Sequence, residues 1–170
     1  MASVRLQPVR PDARNTAARK TPCATSRKHL HFHRREACNG TMETRSLASL
    51  GRGIQRCRRC RRSETRLRAV PGEGPEGSLV MLGEAPGRRE DRTGRPFAGR
   101  AGAYLDRVLA EHGICREAVF ITSVLKCWSP GPPKHEQVRA CLPWTQAQLA
   151  AAAPRLILVM GNWAADTLLH

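Results

Sequence analysis

"SLVMLGEAPGRREDRTGRPFAGRAGAYLD", residues 78–106, decides how the chain folds. Its first six letters form a short apolar run that stops at Gly83, the pattern of a strand buried on both faces. Beyond it the chain turns polar, with Gly83, Gly87, Gly94, Gly99 and Gly102 allowing close backbone approach, Pro86 and Pro96 stiffening the path, and a single aromatic, Phe97. In such a loop Phe97 reads either as a surface on which a base or ring stacks, or as a side chain tucked into the core. "AGAYLDRVLAEHG", residues 101–113, then places Tyr104, Leu105, Val108, Leu109 and His112 on one stripe at helical spacing and stops at Gly113.

The same alternation continues downstream. "AVFITSVL", residues 118–125, is a second strand rich in β-branched residues, and after a Pro/Gly bend residues 135–153 are helical around Pro143. Pro154 precedes a third strand, "RLILVMG", and a further helix begins at "NWAADTLLH". Upstream, residues 43–57 form a short helical lead-in to Cys57 and Cys60, a basic run follows, and "PGEGPEG", residues 71–77, reads as a turn-rich linker. Strand, helix, strand, helix, strand with apolar strands is the pattern of an α/β fold: a mostly parallel central sheet between two helical layers. Ligands of such sheets bind at the carboxyl ends of the strands, here in the loops after Leu82, Val124 and Met160.

With 170 residues the chain can bury one modest core. No apolar run approaches the roughly 20 residues of a membrane span, so no membrane partner is expected. The formal charge of +15 points to a polyanion such as nucleic acid. Much of that charge is local: residues 1–41 carry nine Lys or Arg against two acidic residues. This leader has no apolar periodicity and is expected to be disordered. It reads as an organellar targeting segment, as a nucleic-acid-binding tail, or as sequence left out when translation starts at Met42; the last reading is adopted, with residues 42–170 as the domain and a prokaryotic cytoplasm as its location. His29, His31 and His33 beside Cys23 and Cys38 suggest a metal site only if a folded scaffold surrounds them.

Seven cysteines include one close pair, Cys57 and Cys60, and two more flanking the Pro/Gly bend, Cys127 and Cys141. The odd count and the absence of a secretion signal disfavour disulfides. By spacing, a pair plus a second pair suits a tetrahedral zinc site as well as any other thiolate centre.

"GEAPGRREDRTGRPFAGRAGAYLD", then "VFITSVLKC", then a second Cys before a Pro and a helix, then "LILVMGNWAADTLL" resembles the uracil-DNA glycosylase superfamily, most closely its iron-sulfur type 4 branch. The resemblance runs from Cys57 to the last residue. It implies a uracil-DNA glycosylase-like three-layer α/β/α sandwich and a DNA-repair enzyme that flips uracil out of DNA and hydrolyses its N-glycosidic bond. It also implies that Cys57, Cys60, Cys127 and Cys141 ligate a [4Fe-4S] cluster, with zinc as the alternative. Gly83, Glu84, Ala85, Pro86 and Gly87 would build the pocket floor and position the attacking water. Phe97 would stack on the flipped base, Glu90 would crowd its 5-position against thymine, and Ser123 would face the base edge. Arginines of residues 56–68 and 88–100 would meet phosphates, and the partner would be uracil-containing DNA bound by a monomer without a nucleotide cofactor.

Two departures stand out. The family usually has Asn where this chain has Ser123, which opens the alternative of another deaminated base. Family members also continue past the position of His170 to a His-Pro-Ser type motif, which makes the chain a fragment or a non-catalytic nucleic-acid-binding relic in the alternative reading; a zinc-stapled nucleic-acid-binding module is a further one.

Overall fold

A computed structural model describes residues 45–77 and 79–169. The basic leader, with its histidines and Cys23 and Cys38, lies outside the described residues, as does His170.

Three parallel strands form the centre: β1 (Leu79–Gly83), β2 (Phe120–Ser123) and β3 (Leu156–Val159), in the order β2-β1-β3. Val80 pairs with Phe120 on one side and Ile157 on the other, and Gly83 lies opposite Ser123. Because side chains alternate along a strand, the sheet has two distinct apolar faces. Val80, Leu82, Phe120 and Ile157 face α5 (His135–Ala152), α1 (Leu47–Gln55) and α6 (Asn162–Leu169). Met81 and Ile121 face α4 (Arg100–Glu111) through Leu105 and Leu109. The sandwich of helices, sheet and helices expected from the sequence is therefore present. Among the described residues no helix is long and apolar enough to cross a membrane.

Three local expectations change. The stripe of α4 is rotated: Leu105 and Leu109 are buried, whereas Tyr104 is 62% exposed with Arg107 over its ring. Gly102, one turn before Leu105, is buried instead. The loop after β1 is not continuous, since Arg88–Thr93 form a short helix, α3, which Gly94 closes in the left-handed conformation with φ 74°. The segment read as a linker is docked along the outer edge of β2, where Glu73 and Ile121 exchange both backbone hydrogen bonds. A Cβ at Gly74, whose φ is 113°, would lie 2.0 Å from the Val119 carbonyl oxygen, so only glycine passes there.

Glu73 anchors this edge electrostatically. Its carboxylate accepts from Arg95 Nε at 3.0 Å and from Arg116 Nη2 at 2.8 Å, and Arg116 also donates to Asp106. Burial alone would raise the Glu73 carboxyl, but the two arginines outweigh it and leave it below its ordinary value. A depressed carboxyl lends stability above its ordinary range and loses it as the pH falls through its native value. Glu73→Gln is therefore expected to cost roughly 1 kcal/mol at neutral pH, the ion pair being partly screened. Urea unfolding at pH 7 and in acid checks this: the difference from wild type should close in acid, and an unchanged difference would remove the arginines from the explanation.

Candidate functional site

The carboxyl ends of β1 and β2 open into a cleft of about 610 Å³ lined by residues that include Ala85, Pro86, Gly87, Glu90, Phe97 and Ser123. Its construction follows from glycine placement. Gly83 ends β1 without a side chain; a Cβ there would lie 2.7 Å from Phe97 Cζ, so the absence of one is what lets the ring reach the strand tips. Gly102 is more demanding, because a Cβ would lie 1.5 Å from the Phe97 carbonyl oxygen. Phe97 itself has φ 48°, a left-handed conformation that a bulky residue adopts at a cost of about 1–3 kcal/mol. Such strain persists only where the surroundings over-determine it, and here the first turn of α4 and the end of β1 do so.

Glu90, 9% exposed, sits on α3 and accepts the Gly99 N–H, at the start of α4, on Oε1 at 2.7 Å. Its other oxygen occupies the space a Gly87 side chain would need. Glu90 thus ties the two ends of the loop together while lining the cleft. Ser123, 5% exposed, forms another part of the wall, and its hydroxyl makes no hydrogen bond among the described residues. Arg88 lines the mouth and lies over the Trp128 ring at 5.2 Å. Glu84 is placed elsewhere: its Oε1 accepts the Trp163 N–H at 3.1 Å, at the start of α6, and its side chain packs where Gly161 has no Cβ. Of the residues expected at the floor, Ala85, Pro86 and Gly87 line the cleft, whereas Gly83 supports it from behind.

The four cysteines are brought together from three parts of the chain. Cys57 and Cys60 lie between α1 and α2 (Arg62–Thr65), Cys127 follows β2, and Cys141 is on α5. None of these four is in a disulfide; Cys127 and Cys141 are buried and the other two partly so. Arg66 and Trp144 knit them: Arg66 donates to Cys127 Sγ at 2.9 Å and to the Cys57 carbonyl at 2.7 Å, and Trp144 Nε1 donates to Cys57 Sγ at 3.2 Å. The bridge between Ala69 and Cys127 holds the two segments edge to edge. Burial pushes the Cys141 thiol up to about 11 against the opposing charge of Lys126. It pushes Cys127 up as well, against the hydrogen bond and charge of Arg66. Among the described residues, no group of three His, Cys, Asp or Glu side chains meets as a lone metal ion would need.

Between the cysteines and the cleft lies a second, polar groove of about 520 Å³, lined by residues that include Arg58, Ser63, Arg66, Arg68 and Thr93. Its floor is fixed by Asp91, 3% exposed, whose carboxylate accepts the backbone N–H groups of Leu67 at 3.0 Å and Arg68 at 3.2 Å. Asp91 was not singled out by sequence reasoning, because an acidic residue in a charged run usually marks a solvated face. Arg62 corrects an expectation: it belongs to the segment whose arginines were to meet phosphates, yet it is 2% exposed and turned inward, and Lys126, 1% exposed, was likewise not singled out. Only the adjacency of Lys126 to Cys127 could have drawn notice.

The family model described as the uracil DNA glycosylase superfamily matches residues 71–170. A type-4 uracil-DNA glycosylase of Archaeoglobus fulgidus is 44% identical over 124 residues, covering 71% of this chain and 62% of the relative. The type-4 enzyme of Pyrobaculum aerophilum is 43% identical over 120 residues, 69% of this chain and 61% of its own length. A type-5 uracil-DNA glycosylase of Thermus thermophilus is 35% identical over 119 residues, 60% and 54% respectively. The chain thus spans 62% or less of the length of these curated relatives.

Proposed function

Since the chain belongs to the uracil DNA glycosylase superfamily, we propose that it works on DNA as a type-4 enzyme does, seating an extruded uracil in the cleft at the strand tips and hydrolysing its bond to the sugar. The observation that carries this reading is the position of Phe97, held in a strained conformation against Gly83 so that its ring forms part of a cleft wall that also contains Ser123. A flat base entering there would stack on the ring, a contact worth roughly 1–3 kcal/mol. The Ser123 hydroxyl, without a protein partner, would meet the base edge. Glu90 would stand against the 5-position, where a methyl group would press on a carboxylate already committed to Gly99. Backbone of residues 85–87 would orient water at the sugar. Glu84 contributes by fixing that backbone to α6 rather than by reaching into the cleft.

The groove of Arg58, Arg66 and Arg68 would take the phosphates flanking the flipped nucleotide, with binding that weakens steeply as salt rises. Cys57, Cys60, Cys127 and Cys141 would hold a [4Fe-4S] cluster: four soft donors, none in a disulfide, lie on segments that the Ala69–Cys127 bridge and the bonds of Arg66 and Trp144 to Cys127 and Cys57 hold side by side. Zinc, the alternative that the spacing allows, would need these thiolates to meet around one ion, and among the described residues no group of three does. Bound, the group would staple residues 57–60 to the sheet domain.

Incubation of the purified chain with a uracil-containing oligonucleotide, followed by alkali, tests the activity. Strand breaks at uracil are expected, and an intact strand would overturn the reading. A second reading is favoured by Ser123, whose hydroxyl offers less to the uracil edge than an amide; oligonucleotides bearing hypoxanthine, run in parallel, separate the two. If uracil is the substrate, Ser123→Asn should raise excision about tenfold, the value of one or two added hydrogen bonds.

A further inference from the structure

Arg62 and Lys126 are buried cations without a carboxylate. Arg62 is 2% exposed and donates to Gln137 Oε1 at 2.7 Å and to the Cys127 carbonyl at 3.1 Å. Lys126 is 1% exposed and donates to Thr122 Oγ1 at 2.9 Å and to the Ser123 carbonyl. All four acceptors are neutral, and the salt bridges among the described residues involve neither side chain. A guanidinium cannot shed its proton, and a buried charge without an opposite partner is among the costliest features a fold can carry. The nearby groups able to become anionic are sulfurs: Cys60, Cys127 and Cys141 act on Arg62, and Cys141 and Cys127 on Lys126.

Charge bookkeeping then makes a specific demand. Four protonated thiols would leave both cations uncompensated. Four thiolates on a resting [4Fe-4S] core carry a net charge of about −2; Arg66 meets it from the partly exposed side, on Cys127 Sγ, and Arg62 and Lys126 are the cations set against it from the buried side. We propose that Arg62, assisted by Lys126, is the buried counter-charge of a metal-thiolate centre on Cys57, Cys60, Cys127 and Cys141, so that retention of the metal depends on it. This rests on the cysteine assignment made above. It gives Arg62 a role distinct from a ligand's: its guanidinium holds the Cys127 carbonyl, and so the backbone that carries one of the four sulfurs, in place.

The test uses the full chain, purified without oxygen, with iron and zinc content measured alongside visible absorption. Wild type, Arg62→Gln and Arg62→Lys are exposed to a strong chelator and metal loss is followed over time. Arg62→Gln is expected to lose its metal about 10- to 100-fold faster than wild type, the range seen when groups around metal ligands are altered, while Arg62→Lys stays close to wild type. After stripping, the order should reverse, with metal-free Arg62→Gln melting at or above metal-free wild type, because an uncompensated charge has gone. Equal metal loss from Arg62→Gln and wild type would overturn the inference while leaving the cysteine assignment standing. A wild-type chain free of both iron and zinc would remove both. Should Arg62→Gln be recovered only unfolded, Lys126→Gln is measured in the same way: faster metal loss supports the counter-charge role, and wild-type retention overturns it.

Discussion

Replacing Phe97 by alanine should lower the efficiency of uracil excision about 100-fold, near the upper limit of what one stacked base contributes. Two losses combine. A base seated as proposed would lose the face on which it rests, and the Gly83 backbone, bare so that the ring can approach it, is left facing a void. The strain at φ 48° stays, because alanine also disfavours the left-handed region. Phe97→Gly separates the two terms: it removes the ring and the strain together, and so should be more stable than Phe97→Ala while excising uracil no better. Kinetics on a uracil-containing oligonucleotide and thermal melts of the three proteins provide the comparison. If Phe97→Ala excises uracil as well as wild type does, the ring is only a core side chain and the base sits elsewhere.

Gly102→Ala should be more damaging to the fold than any other single methyl group added at the site. The new Cβ would occupy a point 1.5 Å from the Phe97 carbonyl oxygen, and its neighbour is backbone, so no side chain can swing aside. Either the first turn of α4 unwinds or the loop carrying Phe97 moves away from Gly83. A loss of several kcal/mol is expected, in the upper tail of single substitutions, together with excision reduced at least as far as in Phe97→Ala. By contrast, Gly113→Ala meets open space and is strained only by its φ of 67°, so its cost should be about 1 kcal/mol. Denaturant unfolding of both variants checks the ranking; similar losses would mean that the loop is soft.

Strand positions and layer order were legible because apolar runs ending in glycine or proline leave few alternatives. The cleft was legible only in part. Glycine spacing announced a tight loop, but not which backbone atoms crowd which glycine, since those contacts join residues that are distant in sequence, such as Gly161 and Glu84. The direction of Glu84 was missed for the same reason: its partner, the N–H of Trp163, lies 79 positions away. Buried charge was the least visible of all. Arg62 sits among five other arginines between residues 56 and 66, and composition cannot reveal which one turns inward. The two glutamates and prolines of residues 71–77 suggested freedom where the positive φ values of Gly72 and Gly74 instead serve a close fit against β2.

Glu90 and Asp91 are neighbours on a helix of six residues, and they look in opposite directions. One clasps the Gly99 amide behind Phe97, and the other clasps Leu67 and Arg68, a few residues from the cysteine pair. Such a short helix cannot yield on one side and stay rigid on the other. Looseness in residues 67–68 would therefore pass through Asp91 and Glu90 to the cleft wall that Ser123 also forms. Under the proposed assignment of Cys57 and Cys60 to a metal centre, order at that centre and order at the cleft become mechanically coupled through α3.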